Sequence, residues 1–91
     1  MTEQRDATAP AVLDVAELVA LIRALWAERL GHSDFTDDES FFAVGGHSMR
    51  AVLVMKALGV AVGAKLPTRM LLDNQTINEL TDAVRAHVAS E

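Results

Sequence analysis

The 91-residue chain contains no cysteine, which excludes disulfide bonds and thiolate metal sites and removes any redox clue to its compartment. No apolar run approaches the roughly 18 residues that a membrane-spanning helix needs. The first ten residues, MTEQRDATAP, lack the apolar core of a secretory signal. By default we expect a soluble, cytoplasmic protein that has no contact with membranes.

Basic and aromatic residues are also scarce. Eight Lys and Arg stand against 13 Asp and Glu, for a formal net charge of −5, and this balance disfavours nucleic-acid binding, which needs a basic surface. It favours partners with basic surfaces.

One Trp, three Phe and 51% hydrophobic residues supply a modest core. At this length there is room for one small domain with only marginally sufficient burial.

Helical periodicity begins at Asp14, after a polar lead (residues 1–13) that we expect to be flexible; residues 14–91 form the predicted domain. Asp14 and Glu17 fit a capping box, and Gly31 is a plausible C-terminal stop. The apolar face of this first helix is predicted to contain Val15, Leu18, Val19, Leu21, Ile22, Leu25 and Trp26.

Three more helices follow a long connection at residues 31–47. The second helix is predicted to start at Ser48, with Gly59 on its core face, where a glycine could allow another helix to approach. Pro67 suits the opening of a short third helix, and Thr76 and Glu79 form a capping box for the last one. The predicted core face of the second helix contains Ala51, Val52, Met55, Leu58 and Val62. These patterns predict an all-α fold of four helices.

The long connection needs its own anchors, because structureless loops of this length are uncommon in compact domains. We expect Phe35, Phe41, Phe42 and Val44 to hold it against the core. Its acidic residues fail the EF-hand pattern, which requires glycine at the sixth position and glutamate at the twelfth, where Glu39 and Gly45 stand. The three histidines lack zinc-ligand spacing. We therefore predict a solvated acidic loop and no metal site.

The loop ends in the segment FFAVGGHS, whose last residue is Ser48. A hydrolase elbow, Gly-x-Ser-x-Gly after a strand, is absent. The neighbouring His47 is poorly placed to act as a general base, so we do not expect an enzyme. At a helix N-cap the serine would lie at an end that favours phosphate, with Gly45 and Gly46 leaving space beside it. Covalent attachment of a phosphate ester and a simple N-cap are both open.

The segment FFAVGGHSM, placed between a helix–long loop unit and a second helix, resembles the phosphopantetheine attachment signature of acyl and peptidyl carrier proteins. The resemblance extends from ELVALIRALWAERLG through DDESFFAVGGHS to KLPTRMLLDNQTINELTDAV. The Gly-Gly-His-Ser form looks like the peptidyl class. The resemblance implies a right-handed four-helix bundle with a short third helix. It also implies that Ser48, in the context of Gly45, Gly46 and His47, carries a 4′-phosphopantetheine arm whose thiol holds aminoacyl or peptidyl groups as thioesters.

The same resemblance implies a non-catalytic shuttle in nonribosomal peptide or hybrid natural-product synthesis, including antibiotic biosynthesis. Its partners would be a phosphopantetheinyl transferase and adenylation, condensation, thioesterase or tailoring enzymes. We expect a monomer and a discrete, free-standing carrier. The alternatives are an acyl or aryl carrier, and a helical interaction domain in which Ser48 is only an N-cap. Met49, Leu72 and Gln75 depart from the commonest family residues and leave the choice of partner open.

The second helix carries a further apolar strip away from its predicted core face, formed by Met49, Leu53 and Val60. We interpret this docking strip, framed by Arg50 and Lys56, as the surface that partner enzymes contact. The alternative is that the strip packs beneath the long loop.

Overall fold

A computed structural model describes residues 14–90 of the chain; the predicted flexible lead lies outside the described residues. The element order is α1 (Val15–Leu30), α2 (Ser48–Val62), α3 (Arg69–Asp73) and α4 (Ile77–Ala89). Within residues 14–90 there is no β-strand, so the predicted all-α fold with a short third helix is confirmed. No helix in this part of the chain is both long and apolar enough to cross a membrane.

The predicted helix ends of α1 are present. The Asp14 carboxylate accepts a hydrogen bond from the backbone N–H of Glu17 at 3.2 Å. At the other end Gly31 takes the left-handed conformation (φ 83°), and its N–H donates to the carbonyl of Ala27. Because glycine adopts this conformation without a steric penalty, it ends the helix after Leu30.

The entry of α4 confirms one half of the predicted capping box and corrects the other. The Thr76 hydroxyl accepts from the backbone N–H of Glu79 at 3.0 Å. The Glu79 carboxylate accepts from the N–H of Gln75 at 3.1 Å, one residue earlier than a reciprocal box requires. The short α3 begins at Arg69, two residues after Pro67.

The core lies along one stripe of each long helix. The prediction of burial is wrong for two residues. Val15, at the first position of α1, is 44% exposed, and Val52 is 39% exposed. On a helix of about 100° per residue, Val52 lies about 100° from Ala51, whereas the fully buried Val54 lies about 60° away on the other side. The buried residues of the long helices are Leu18, Ile22, Trp26, Leu30, Ala51, Val54, Met55, Leu58, Val62, Ile77, Leu80, Thr81, Val84 and Val88.

Aromatic residues hold the 31–47 loop to this core as predicted. The rings of Phe35 and Phe41 pack on either side of Trp26, with centroid distances of 5.7 and 5.0 Å, and Phe42 stands edge-on to Phe41 at 5.4 Å. Phe35 and Phe41 are buried, while Phe42 and Val44 are partly buried against the core. The scarce aromatic residues of the chain are therefore concentrated where the loop needs an anchor.

Polar contacts hold the same loop from two helices. The Arg23 guanidinium on α1 donates to the Phe35 carbonyl at 3.2 Å and forms an ion pair with Asp37. On α4, the Asn78 backbone N–H donates to the Asp37 carbonyl at 3.2 Å, and its side-chain amide donates to the Asp38 carboxylate at 2.7 Å. Asp34, Asp38 and Glu39 are exposed, as predicted for a solvated acidic loop, whereas Asp37 is partly buried. Asp37 and Asp38 together also fix the loop to both helices.

Candidate functional site

Ser48 is the first residue of α2 and is exposed to solvent. The N-cap is His47, whose backbone is extended (φ −150°, ψ 175°) and whose side chain makes no capping hydrogen bond. The prediction of Ser48 as the cap is thus wrong by one residue. Among the described residues no partner binds the Ser48 hydroxyl, so this oxygen is free to react with an incoming group.

The electrostatic environment of this helix end favours an anion. The first intrahelical bond of α2 runs from the Ala51 N–H to the His47 carbonyl at 2.9 Å, so the amides of residues 48–50 have no partner within the helix. The first turns of α1 and α4 contain Glu17 and Glu79, whereas the first turn of α2 has no acidic residue and includes Arg50. The positive end of the helix dipole is therefore not neutralised by a carboxylate of its own first turn.

The two glycines before Ser48 serve the loop in different ways. Gly45 has φ 117°, a conformation that side chains disfavour. A Cβ on Gly46 would lie 2.3 Å from the Phe41 ring and 2.7 Å from the Phe41 carbonyl oxygen. Packing therefore requires glycine at position 46, because the buried Phe41 occupies the volume that any side chain would need there. This requirement is separate from the predicted clearing of space around the serine.

Two side chains hold the loop carbonyls that precede the serine. The His32 Nε2–H donates to the Val44 carbonyl at 2.8 Å, while its Nδ1 accepts from the backbone N–H of Asp34 at 3.0 Å. Because a carbonyl can only accept and an amide N–H can only donate, these bonds define the neutral Nε2–H tautomer. Arg50 donates to the Gly45 carbonyl at 3.0 Å. Sequence reasoning missed the role of His32, since no local pattern links residues 12 positions apart.

The predicted docking strip lies on the face of α2 opposite the core. Met49 and Val60 are 63% and 82% exposed, Leu53 is partly buried and Lys56 is exposed. The exposure of Met49 and Val60 contradicts the alternative that these two side chains pack beneath the loop. Arg50 is half-buried through its bond to the loop, so it frames the strip from a fixed position.

Within residues 14–90 there is no cluster of three or more His, Cys, Asp or Glu side chains able to hold a metal ion. His47 is exposed and is the sequence neighbour of Ser48. The site thus presents a free serine hydroxyl at the positive end of a helix, directly after a loop that is anchored to the core. This arrangement leaves the Ser48 hydroxyl accessible to an incoming group.

Comparison with known proteins identifies that group. Residues 20–84 match the family model described as the phosphopantetheine attachment site, and the chain belongs to this family. The prediction of 4′-phosphopantetheine as the cofactor is therefore confirmed, as is that of a non-catalytic carrier. The site fits the group, because it offers an unbonded hydroxyl beside unpaired amides with no acidic side chain in the first turn.

Relatives occur within large synthetases. The chain is 34% identical over 82 residues to phosphinothricin tripeptide synthetase PhsC of Streptomyces viridochromogenes, covering 90% of this chain and 7% of that protein. It is 36% identical over 73 residues to malpinin synthetase of Mortierella alpina, covering 80% and 1% respectively. The chain thus spans less than a tenth of the length of these curated relatives.

Solved structures show the same fold in proteins of similar size. BlmI, a type-II acyl carrier protein from Streptomyces verticillus involved in bleomycin biosynthesis, is 35% identical, with a TM-score of 0.77 covering 81% of this chain and 89% of that one. The HMG-ACPI domain of the CurA module from Lyngbya majuscula has a TM-score of 0.76 at 22% identity, covering 99% and 88%, and supports the fold alone.

Proposed function

We propose that this protein carries aminoacyl or peptidyl groups in nonribosomal peptide or hybrid natural-product synthesis, on a 4′-phosphopantetheine arm attached to the Ser48 oxygen. The observation that carries the proposal is the exposed, unbonded Ser48 hydroxyl at the start of α2 in a chain of the phosphopantetheine family. When bound, the group supplies a thiol at the end of a flexible arm, where acyl groups are held as thioesters.

The residues of this chain contribute attachment and charge stabilisation. Ser48 Oγ provides the ester oxygen, and the unpaired amides at the start of α2 lie next to the position of the phosphate charge. Such an interaction contributes about 0.3–1 kcal/mol at an exposed helix end. His32 and Arg50 hold the carbonyls of Val44 and Gly45, which keeps the segment before the serine in one conformation while a transferase docks.

A peptidyl rather than an acyl cargo is supported by the Gly-Gly-His-Ser motif and by the similarity to a protein named as a tripeptide synthetase, PhsC. An acyl or aryl cargo is the second candidate, since the similar structure BlmI is described as an acyl carrier protein. Parallel loading assays with aminoacyl-activating and acyl- or aryl-activating enzymes distinguish these cargoes.

We further propose that the docking strip of Met49, Leu53 and Val60, framed by Arg50 and Lys56, receives the partner enzymes. These are a phosphopantetheinyl transferase and adenylation, condensation, thioesterase or tailoring enzymes, each contacting one carrier monomer. The support is the position of the strip on the helix that begins at Ser48, together with the high exposure of Met49 and Val60. Exposed apolar side chains grouped on one face are typical of protein-binding surfaces.

The attachment is tested by incubating the protein with coenzyme A and a promiscuous phosphopantetheinyl transferase, followed by intact mass measurement. We expect one phosphopantetheinyl adduct on the wild type and on Ser33→Ala, which removes another exposed serine, and none on Ser48→Ala. Absence of an adduct on the wild type, or its persistence in Ser48→Ala, contradicts the proposal. The chain would then be better described as a helical interaction domain.

A further inference from the structure

The charges of this acidic protein are unevenly distributed along the chain. Residues 40–72 contain Arg50, Lys56, Lys65 and Arg69 and no Asp or Glu. Because the whole chain has a formal charge of −5 and this segment has +4, the remainder has −9. The segment includes all of α2 and α3 apart from Asp73. The segment that contains α2 is therefore the basic part of an acidic chain.

An open groove lies within this basic segment, between the end of α2 and the chain that follows it. Its volume is about 470 Å³. Small residues line part of this space. One of them, Gly59, lies so close to the returning chain that a Cβ there would be 2.8 Å from the Ala64 carbonyl oxygen. This contact corrects the prediction that Gly59 admits another helix. The groove is lined by Met55, Lys56, Gly59, Val60, Gly63, Ala64, Lys65 and Leu66.

The groove is lined by apolar and small residues together with two lysines. Val60 is 82% exposed, and Leu66 is partly buried beside it. Lys56 and Lys65 are exposed, and neither forms an ion pair with any residue of the described range 14–90. Arg69, by contrast, is paired with Asp73 at 3.2 Å. The two lysines are therefore available to an external carboxylate.

The backbone beside Lys65 is fixed by a contact from α4. The His87 Nε2–H donates to the Lys65 carbonyl at 3.0 Å, which ties the far wall of the groove to the bundle. A wall held in this way is present before any partner arrives, so binding requires little ordering of the backbone.

We propose that this groove binds an acidic, amphipathic segment of a partner protein, which inserts an apolar side chain next to Val60 and places carboxylates against Lys56 and Lys65. Apolar surface next to polar and charged groups is typical of a protein interface. The net charge of the chain alone favours basic partners, but the local charge at this groove favours acidic ones. The biological meaning of the inference rests on the proposed carrier function, whereas the binding itself does not need the arm.

The test uses the ¹⁵N-labelled protein without the arm and two synthetic helical peptides as probes. Both peptides carry the same leucine stripe, flanked by glutamates in one and by lysines in the other. We expect the glutamate peptide to shift the amide signals of residues 55–66 and to bind about three- to tenfold more tightly than the lysine peptide at low salt. Salt near 1 M, where the Debye length is about 3 Å, is expected to remove this difference.

Variants separate the charge contribution from the apolar one. Lys56→Glu is expected to weaken binding of the glutamate peptide by about three- to tenfold. The control Arg85→Glu makes the same change in net charge at an exposed position of α4 and should change affinity less than about twofold. Val60→Ser removes exposed apolar surface and is expected to weaken the binding of both peptides by the same factor. All three side chains are exposed, so the fold should be retained.

Equal affinity for the two peptides, signal shifts mainly outside residues 55–66, or an effect of Arg85→Glu as large as that of Lys56→Glu would overturn the inference. The mass assay for the Ser48 adduct is run on the same samples. Modified Ser48 without peptide selectivity overturns the groove inference and leaves the carrier function intact. Peptide selectivity without modification of Ser48 supports the groove and overturns the carrier function.

Discussion

Replacement of Gly46 by alanine tests the packing of the segment that presents Ser48. The added Cβ would lie 2.3 Å from two ring carbons of Phe41 and 2.7 Å from its carbonyl oxygen. Carbon atoms pack optimally at about 3.5–4.0 Å, so the ring and the loop must separate by more than about 1 Å. The Phe41 ring is fully buried and contacts the rings of Trp26 and Phe42, so it cannot move away into solvent.

The backbone at this position is also constrained, which limits relaxation. The Gly46 N–H donates to the Phe41 carbonyl at 2.9 Å, and the Phe41 N–H donates to the Gln75 carbonyl at 2.7 Å. Overpacking of a core costs about 1–3 kcal/mol. For a domain of this size 1 kcal/mol corresponds to about 4–8 °C in Tm. We therefore expect Gly46→Ala to lower Tm by about 4–24 °C, measured by thermal unfolding followed by circular dichroism.

A double-mutant cycle assigns this loss to Phe41. Combining Gly46→Ala with Phe41→Leu, which makes room for part of the new methyl group, should give a coupling free energy of at least about 0.5 kcal/mol in the rescuing direction. Gly31→Ala is the control, because its Cβ meets no atom within 4 Å and its cost is backbone strain alone. It should show no coupling to Phe41→Leu. A Tm of Gly46→Ala within about 2 °C of the wild type, or zero coupling, would refute the reasoning.

Three further predictions concern single contacts. Thr81 is buried and its hydroxyl has no partner among the described residues, so Thr81→Val should raise the free energy of unfolding by about 1 kcal/mol. Thr76→Val removes a helix cap and should lower the free energy of unfolding by about 1 kcal/mol. Changes of the same sign for both variants in chemical denaturation would contradict this reasoning. Arg23→Ala should lower the free energy of unfolding by about 1 kcal/mol, since the contacts of Arg23 to the loop are partly exposed. It should also speed amide hydrogen exchange in the loop. Unchanged exchange would show that the aromatic contacts alone hold the loop in place. Met49→Ala should lower kcat/KM for phosphopantetheinyl transfer about fivefold with little change in Tm. The control Val15→Ala changes another exposed apolar residue, on α1, and should leave kcat/KM unchanged. Equal effects of the two variants would exclude the strip as the docking surface.

Local patterns were sufficient to predict the helices. Asp14, Gly31 and Thr76 are caps whose hydrogen bonds reach only three or four residues along the chain, and an amphipathic stripe depends on spacing alone. The same reasoning failed at Val52, because two faces of α2 are apolar and periodicity does not decide which valines at the edge of the stripe are buried. Only the positions of the neighbouring elements decide that.

The attachment motif shows the same division. Its serine and its glycine pair can be read from eight consecutive residues, whereas the helix that follows and the family resemblance need the pattern of nearly the whole folded chain. That Gly46 is required by the Phe41 ring, or that His32 holds the carbonyl of Val44, could not be read there. Both contacts depend on how the 31–47 loop folds back on itself.

The sequence by itself determined the helices, most of the buried positions of each long helix and the place of Ser48 at the start of α2, because these depend on interactions within a few residues. The tertiary structure decided how the loop is clamped by Arg23 and Asn78. It also decided where a groove opens between Val60 and Lys65. Its contacts join residues far apart in the chain, and the packing of the whole domain sets which of them meet.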